Sequence, residues 1–130
     1  MKWFQRLSLS AMFALTIATL AHAETTLHFV VAHYSDSTLP TFQHAAERFE
    51  AEHPNVKIVV EDVSWDNLQQ RLTTDIAGGT APDISIIATR WVFDYVKDDI
   101  AEPLDSYITP AFRSEFYSNL LTPGVVDGRT

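Results

Sequence analysis

The fold is decided by residues 56–88, VKIVVEDVSWDNLQQRLTTDIAGGTAPDISIIA, which contain a strand pattern, a helix pattern and a second strand pattern. The β-branched run 56–60 and the apolar run 83–88 have the length and composition of buried strands. Between them, Leu68 and Leu72 are four residues apart, a spacing that places both on one face of a helix. A pair of glycines then ends the helix in the usual C-terminal manner.

The same alternation continues on both sides of this stretch. Upstream, residues 26–32 are an apolar run that predicts a further strand, and Phe42 and Phe49 lie on one apolar face of the helix that follows. Downstream, Thr89 is placed to cap a third helix, and a fourth helical face beyond Pro110 is marked by Phe112, Phe116 and Leu120. Alternating strands and helices with short connections predict an α/β fold, a parallel sheet with helices on both faces.

The last residues have a different pattern. Residues 125–129 read as a strand that reaches a tight turn at Asp127-Gly128. No partner strand follows before Thr130. We therefore expect the sequence to contain an incomplete domain.

The first residues have the pattern of an export signal. A basic start precedes the apolar run 7–20, and Ala21-His22-Ala23 supplies the small residues at a signal-peptidase site. The run is shorter than the roughly 20 residues that span a bilayer, which makes a membrane anchor the weaker interpretation. We predict that residues 1–23 are a cleavable signal peptide and that residues 24–130 are the mature, periplasmic part.

Composition narrows the function classes. The sequence has 17 acidic and 9 basic residues and a formal net charge of −8. Loss of Lys2 and Arg6 with the signal peptide leaves seven basic residues and a charge of −10. Such a chain repels nucleic acid and anionic membranes, so neither is a predicted partner. The absence of cysteine excludes disulfides, a thiolate nucleophile and cysteine-ligated zinc.

Ligands of open parallel α/β sheets bind beyond the carboxyl ends of the strands. Each predicted strand is followed there by polar and aromatic residues that lead into a helix, whose free N–H groups favour an oxygen-rich ligand. The candidate ligand-binding residues are Tyr34, Ser35, Asp36, Trp65, Asn67, Thr89, Arg90 and Trp91. Flat aromatic faces beside directed hydrogen-bonding groups suit a sugar.

Structural roles remain open for the same residues. Either tryptophan could pack in the core instead of touching ligand. Arg90 could pair with Asp94 on its helix, and Asp36 could cap a turn. The positive charge of Arg90 also keeps an anionic ligand possible, although the chain has a net negative charge.

Catalytic and cofactor-dependent functions have little support in the sequence. The spacing of His28 and His33 places them on opposite faces of a strand, and that of His44 and His53 on opposite sides of a helix. No G-x-S-x-G turn is present, and the glycine pair ends a helix, whereas a phosphate cradle precedes one. We predict no catalytic residue, metal or cofactor. A secreted enzyme with catalytic residues outside this sequence remains the alternative.

Several segments resemble one known family. Residues 78–84, GGTAPDI, resemble a characteristic segment of the family 1 extracellular solute-binding proteins of ABC transporters, which include maltose- and glycerol-phosphate-binding proteins. Residues 46–58, AERFEAEHPNVKI, resemble that family's helix-to-strand passage, and residues 68–74 its next helix. EPLD at 102–105 and DGRT at 127–130 resemble later segments in the same order.

The resemblance implies a periplasmic-binding-protein-like (type II) fold with two lobes and a ligand cleft. Residues 24–130 would then be part of the N-terminal lobe. It also implies that ligand contacts fall on positions 34–36 and 89–91, with Trp65 and Asn67 as additions. The implied function is capture of a sugar, polyol or similar small-molecule solute by a monomeric receptor, which delivers the solute to an inner-membrane ABC permease. A truncated product that does not fold is a further alternative.

Overall fold

The computed structural model describes residues 23–130, so the predicted signal peptide lies outside the described residues, apart from Ala23. Within this range no helix is both long enough and apolar enough to cross a bilayer. Strands and helices alternate as predicted. The elements are β1 (Thr25–Ala32), α1 (Thr38–Glu52), β2 (Val56–Val63), α2 (Trp65–Ala77), β3 (Ile84–Ser85), a 3₁₀ turn (Thr89–Trp91), α3 (Val92–Lys97), α4 (Pro110–Ser114), α5 (Ser118–Leu121) and a second 3₁₀ turn (Thr122–Gly124).

The strands form a parallel sheet in the order β2-β1-β3. β1 pairs with β2 along its whole length, from Thr25 opposite Val56 to Ala32 opposite Val63. β3 pairs with β1 over two residues. The carboxyl ends of all three strands therefore lie at one edge of the sheet, which is the arrangement on which the predicted ligand site depends.

Helices pack on both faces of the sheet. Val30 and Ala32 belong to a buried cluster that includes Leu72 of α2. Phe29 points to the other face, where its ring lies 5.4 Å from that of Phe42 in α1, edge to face. Alternate residues of a strand point to opposite faces, so one short strand provides the core for two helices. The predicted α/β fold class is confirmed.

Glu50 links the end of α1 to β2. Its carboxylate accepts a hydrogen bond from Nζ of Lys57 at 2.7 Å and another from the backbone N–H of Ile58 at 2.7 Å. The bond from Lys57 and the backbone bond hold the pKa of Glu50 below its usual range, because both favour the charged carboxylate.

The third strand is shorter than the predicted run 83–88. Only Ile84–Ser85 is a strand. Before it, the carboxylate of Asp83 accepts the N–H of His28 at 2.8 Å, so a side chain occupies the place of a ladder carbonyl. After it, the N–H of Ile86 still donates to β1 at 3.0 Å. The chain therefore follows β1 beyond the two paired residues, and the side-chain bond of Asp83 replaces the regular ladder only before them.

The prediction that Thr89 caps a helix is wrong. Thr89 is the first residue of a 3₁₀ turn, and the N-cap position before it is occupied by Ala88. No side chain caps the start of that turn. The turn forms because the N–H of Trp91 donates to the carbonyl of Ala88 at 2.9 Å. α3 then begins at Val92.

The fourth predicted helix is divided into α4 and α5. The start beyond Pro110 is as predicted, and the hydroxyl of Thr109 caps it by accepting the N–H of Phe112 at 3.1 Å. Leu120, predicted on the same helical face as Phe112, is 62% exposed. A continuous helix is not needed where the apolar face has little to pack against.

The turn at Asp127-Gly128 is confirmed. Asp127 has φ 51° and Gly128 has φ 77°, the pair of positive values that a type I′ turn requires. The flanking Val126 and Arg129 form an isolated antiparallel bridge. The predicted strand 125–129 is thus limited to a single bridge, to which each side of the turn contributes one residue.

Candidate ligand-binding site

Aromatic side chains from all three strand ends meet at the carboxyl edge of the sheet. The rings of Tyr34 and Trp65 are 5.5 Å apart and nearly perpendicular, and those of Trp65 and Trp91 are 6.3 Å apart. Such centroid distances and angles are those of favourable aromatic pairs. We refer to Tyr34, Trp65 and Trp91 as the aromatic row. The parallel sheet thus brings together residues that lie 57 positions apart in the sequence.

The aromatic row runs from solvent into the core. Tyr34 is 62% exposed, Trp65 is half-buried, and Trp91 is only 5% exposed. Trp91 packs with Leu68 and Leu72 of α2 and with the end of β1. This burial favours the core role that the sequence left open for Trp91, and it leaves Tyr34 and Trp65 as the rings with surface available to a ligand.

Arg90 lies against the buried end of the row. Its guanidinium carbon is 5.0 Å from the ring centroid of Trp91, within the range of a cation–π interaction. Among the described residues it forms no ion pair with Asp94, the partner considered from the sequence. The side chain is exposed, so its N–H groups are available at the edge of the sheet.

The loop after β1 is fixed by a residue that sequence reasoning missed. The hydroxyl of Thr38 accepts the backbone N–H of Tyr34 at 3.0 Å and that of Ser35 at 2.9 Å. In return the N–H of Thr38 donates to the carbonyl of Ser35 at 2.9 Å. The side chain of Ser35 bonds that of Ser37 at 2.9 Å. A threonine close after a polar loop is a recognisable signal for such local hydrogen bonds.

A second missed contact lies directly before Tyr34. Nδ1 of His33 is 2.7 Å from Oδ2 of Asp62, and the backbone N–H of His33 donates to the carbonyl of Val63 at 2.8 Å. The side chain of Asp62 is 15% exposed, and its Oδ1 is buried without a hydrogen-bond partner among the described residues. The pair joins the ends of β1 and β2, so Tyr34 has a fixed residue on each side of it.

The remaining candidates are polar groups at the same strand ends. Asp36, Asn67 and Thr89 are exposed, and within residues 23–130 their side chains make no hydrogen bond or ion pair. Asp36 therefore does not cap the turn in which it lies. Three or more carboxylates and imidazoles placed to hold a metal ion do not occur together in the described part of the chain.

Comparison with known proteins identifies the family. Residues 35–129 match the sequence profile of bacterial extracellular solute-binding proteins. The chain belongs to this family. A candidate binding protein of Brucella abortus (strain 2308) is 44% identical to this family member over 129 residues, 99% of the chain and 31% of the relative. The maltotriose-binding protein of Pyrococcus abyssi is 35% identical over 78 residues, 60% of the chain and 17% of the relative.

Solved structures agree with this family member in fold. A family 1 extracellular solute-binding protein of Alicyclobacillus acidocaldarius superposes with TM-score 0.71 at 25% identity, covering 82% of the chain and 27% of that structure. The GacH receptor of Streptomyces glaucescens, solved unliganded and with acarbose, gives 0.72 at 26% identity, covering 82% and 28%. The type II periplasmic-binding-protein fold is confirmed, and the chain spans less than a third of these relatives.

Two of the similar structures are de novo designed esterases. A de novo designed cysteine esterase superposes with TM-score 0.69 at 27% identity, covering 84% of the chain and 27% of that structure. That esterase is described as a cysteine esterase, and the sequence of the present chain contains no cysteine.

Proposed function

We propose that the protein is the substrate-binding component of an ABC importer and captures a sugar or sugar-like solute at the aromatic row. The observation that carries the proposal is the contact between Tyr34 and Trp65 at the carboxyl edge of a parallel sheet. Two partly exposed rings there offer apolar surface for one face of a sugar ring. A maltotriose-binding relative and an acarbose-binding receptor of the same fold support a carbohydrate ligand.

Polar groups around the rings complete the proposed contacts. Asp36 has an exposed carboxylate after β1, and Asn67 has an exposed side-chain amide after β2. Arg90 contributes N–H donors after β3. Hydroxyls of a sugar are both donors and acceptors, so a carboxylate, an amide and a guanidinium suit them in combination. Ser35 and Thr89 extend the same edge, and Trp91 serves mainly as the buried support of Trp65.

Export and delivery belong to the same proposal. Residues 1–23 would direct the chain to the periplasm and be removed, and residues 24–130 would form part of the N-terminal lobe. Function would consist of capture, closure of two lobes and docking to an inner-membrane permease, with no bond made or broken. The family's extracellular character supports this location.

Calorimetric titration of the full-length protein with maltotriose, acarbose, polyols and glycerol phosphate tests the proposal. We expect at least one carbohydrate to bind and to be recovered chemically unchanged. Trp65→Ala should weaken its binding by about tenfold or more, because an aromatic anchor contributes about 1.4 kcal/mol or more to the binding free energy. Tyr107→Ala is the matched control because Tyr107 is a 71% exposed aromatic outside the site. Silence across the panel would refute the carbohydrate assignment, and turnover of a bound compound would favour the enzyme alternative.

A further inference from the structure

We infer that Thr38 is a positioning residue for ligand binding, and this inference rests on the proposed function. Its hydroxyl fixes the backbone of Tyr34 and Ser35, and thereby sets the Tyr34 ring against Trp65 before a solute arrives. Within the described residues the hydroxyl of Thr38 bonds neither Trp65 nor Trp91; it acts through the two amides that it binds.

The hydroxyl serves the loop and not the helix in which Thr38 lies. α1 begins at Thr38, and its N-cap residue is Ser37, which makes no side-chain cap hydrogen bond. A residue that merely started the helix would direct its oxygen at the N–H groups of the first turn. Thr38 instead turns its oxygen back towards two amides that precede it in the sequence.

Burial makes this oxygen hard to replace. Thr38 is 5% exposed, although Tyr34 and Ser35, the residues whose amides it binds, are exposed. Removal of the hydroxyl therefore leaves two N–H donors facing an apolar methyl group until the loop moves towards water. Loop movement would take Tyr34 with it, because its own amide is one of the two donors.

A preset loop lowers the entropic cost of binding. A side chain or loop that is already held in its bound arrangement does not need to be ordered by the ligand. The two ends of this short loop are both anchored, by Thr38 on one side and by the contact of His33 with Asp62 at 2.7 Å on the other. Tyr34 lies between the anchors and carries the exposed ring.

The test compares two substitutions at Thr38 with the substitution of another threonine whose hydroxyl also accepts a backbone hydrogen bond. Thr38→Val removes the oxygen and keeps the shape, whereas Thr38→Ser keeps the oxygen. Thr109→Val is the control, because the hydroxyl of Thr109 also accepts a backbone N–H near a helix start, at 3.1 Å, outside the site. Maltotriose affinity is measured by calorimetry and the melting temperature by circular dichroism, on the full-length protein.

We expect Thr38→Val to weaken maltotriose binding about tenfold and Thr38→Ser to stay within about twofold of wild type. Thr109→Val should lower the melting temperature and leave the affinity within about twofold. Wild-type affinity in Thr38→Val, or equal weakening by Thr109→Val, would overturn the inference.

Amide hydrogen exchange of the wild-type protein provides a ligand-independent test. The amides of Tyr34 and Ser35 should exchange more slowly than those of Asp36 and Ser37, which donate no backbone or side-chain hydrogen bond in the described structure. Equal exchange at all four positions would overturn the positioning role, whatever the protein binds. If the wild type binds no compound in the panel but shows this protection, only the proposed function fails.

Discussion

Replacement of Trp91 by alanine should be the most destabilising change in the aromatic row. Trp91 is 5% exposed and packs with Leu68 and Leu72, so nearly the whole indole is removed from water on folding. An aromatic residue buries about 200 Å², which at about 25 cal/mol per Å² corresponds to about 5 kcal/mol. Measured losses for Phe or Trp to Ala in cores are about 3–5 kcal/mol, a large share of the roughly 5–15 kcal/mol that stabilises a domain.

The assay is urea unfolding followed by far-ultraviolet circular dichroism, with Phe93→Ala as the matched control. Phe93 lies two residues further along, in α3, and is 59% exposed, so its removal should change the free energy of unfolding by no more than about 0.5 kcal/mol. A loss below about 1 kcal/mol for Trp91→Ala, or an equal loss for both variants, would refute the assignment of Trp91 to the core and return it to the ligand contacts.

Two further predictions concern backbone geometry and charge. Gly128→Ala should cost about 1–2 kcal/mol in unfolding free energy, because φ is 77° and an added Cβ meets nothing within 4 Å, so the strain is that of the backbone alone. Gly124→Ala, equally open but without a positive φ, should be near neutral in the same urea assay. The lowered pKa of Glu50 beside Lys57 means that its stabilisation is present above the unfolded glutamate value of about 4.3 and is lost as pH falls through the folded value. Melting temperatures measured across acidic pH should therefore fall less steeply for Glu50→Gln than for wild type, and parallel profiles would contradict this.

The sheet could be predicted because its determinants are local in the sequence. Runs such as 56–60 and the four-residue spacing of Leu68 and Leu72 identify elements before any tertiary contact is known. The start of β3 could not be predicted, because the side chain of Asp83 bonds the amide of His28, which lies 55 residues away on β1. Which side chain replaces a ladder carbonyl is a property of the register, and the sequence does not reveal the register.

The candidate site could likewise be predicted only in part from the sequence. The strand ends identified Tyr34, Trp65 and Trp91 as neighbours, but both tryptophans follow a strand and precede a helix, so composition could not tell which ring was buried. The 3₁₀ turn that starts after Ala88 decides this by turning Trp91 into the core. The bonds of Thr38 lie within four residues and had a local signal, whereas the contact of His33 with Asp62 required the alignment of β1 and β2.

The unequal burial along the aromatic row also gives the protein a natural optical signal. The sequence contains three tryptophans, and the one at position 3 would be removed with the proposed signal peptide. Of the other two, Trp91 is enclosed by the core and Trp65 is partly open to solvent. A solute that stacks on Trp65 would change the surroundings of one of these two indoles far more than those of the other, so the emission from this part of the chain would report binding without any label.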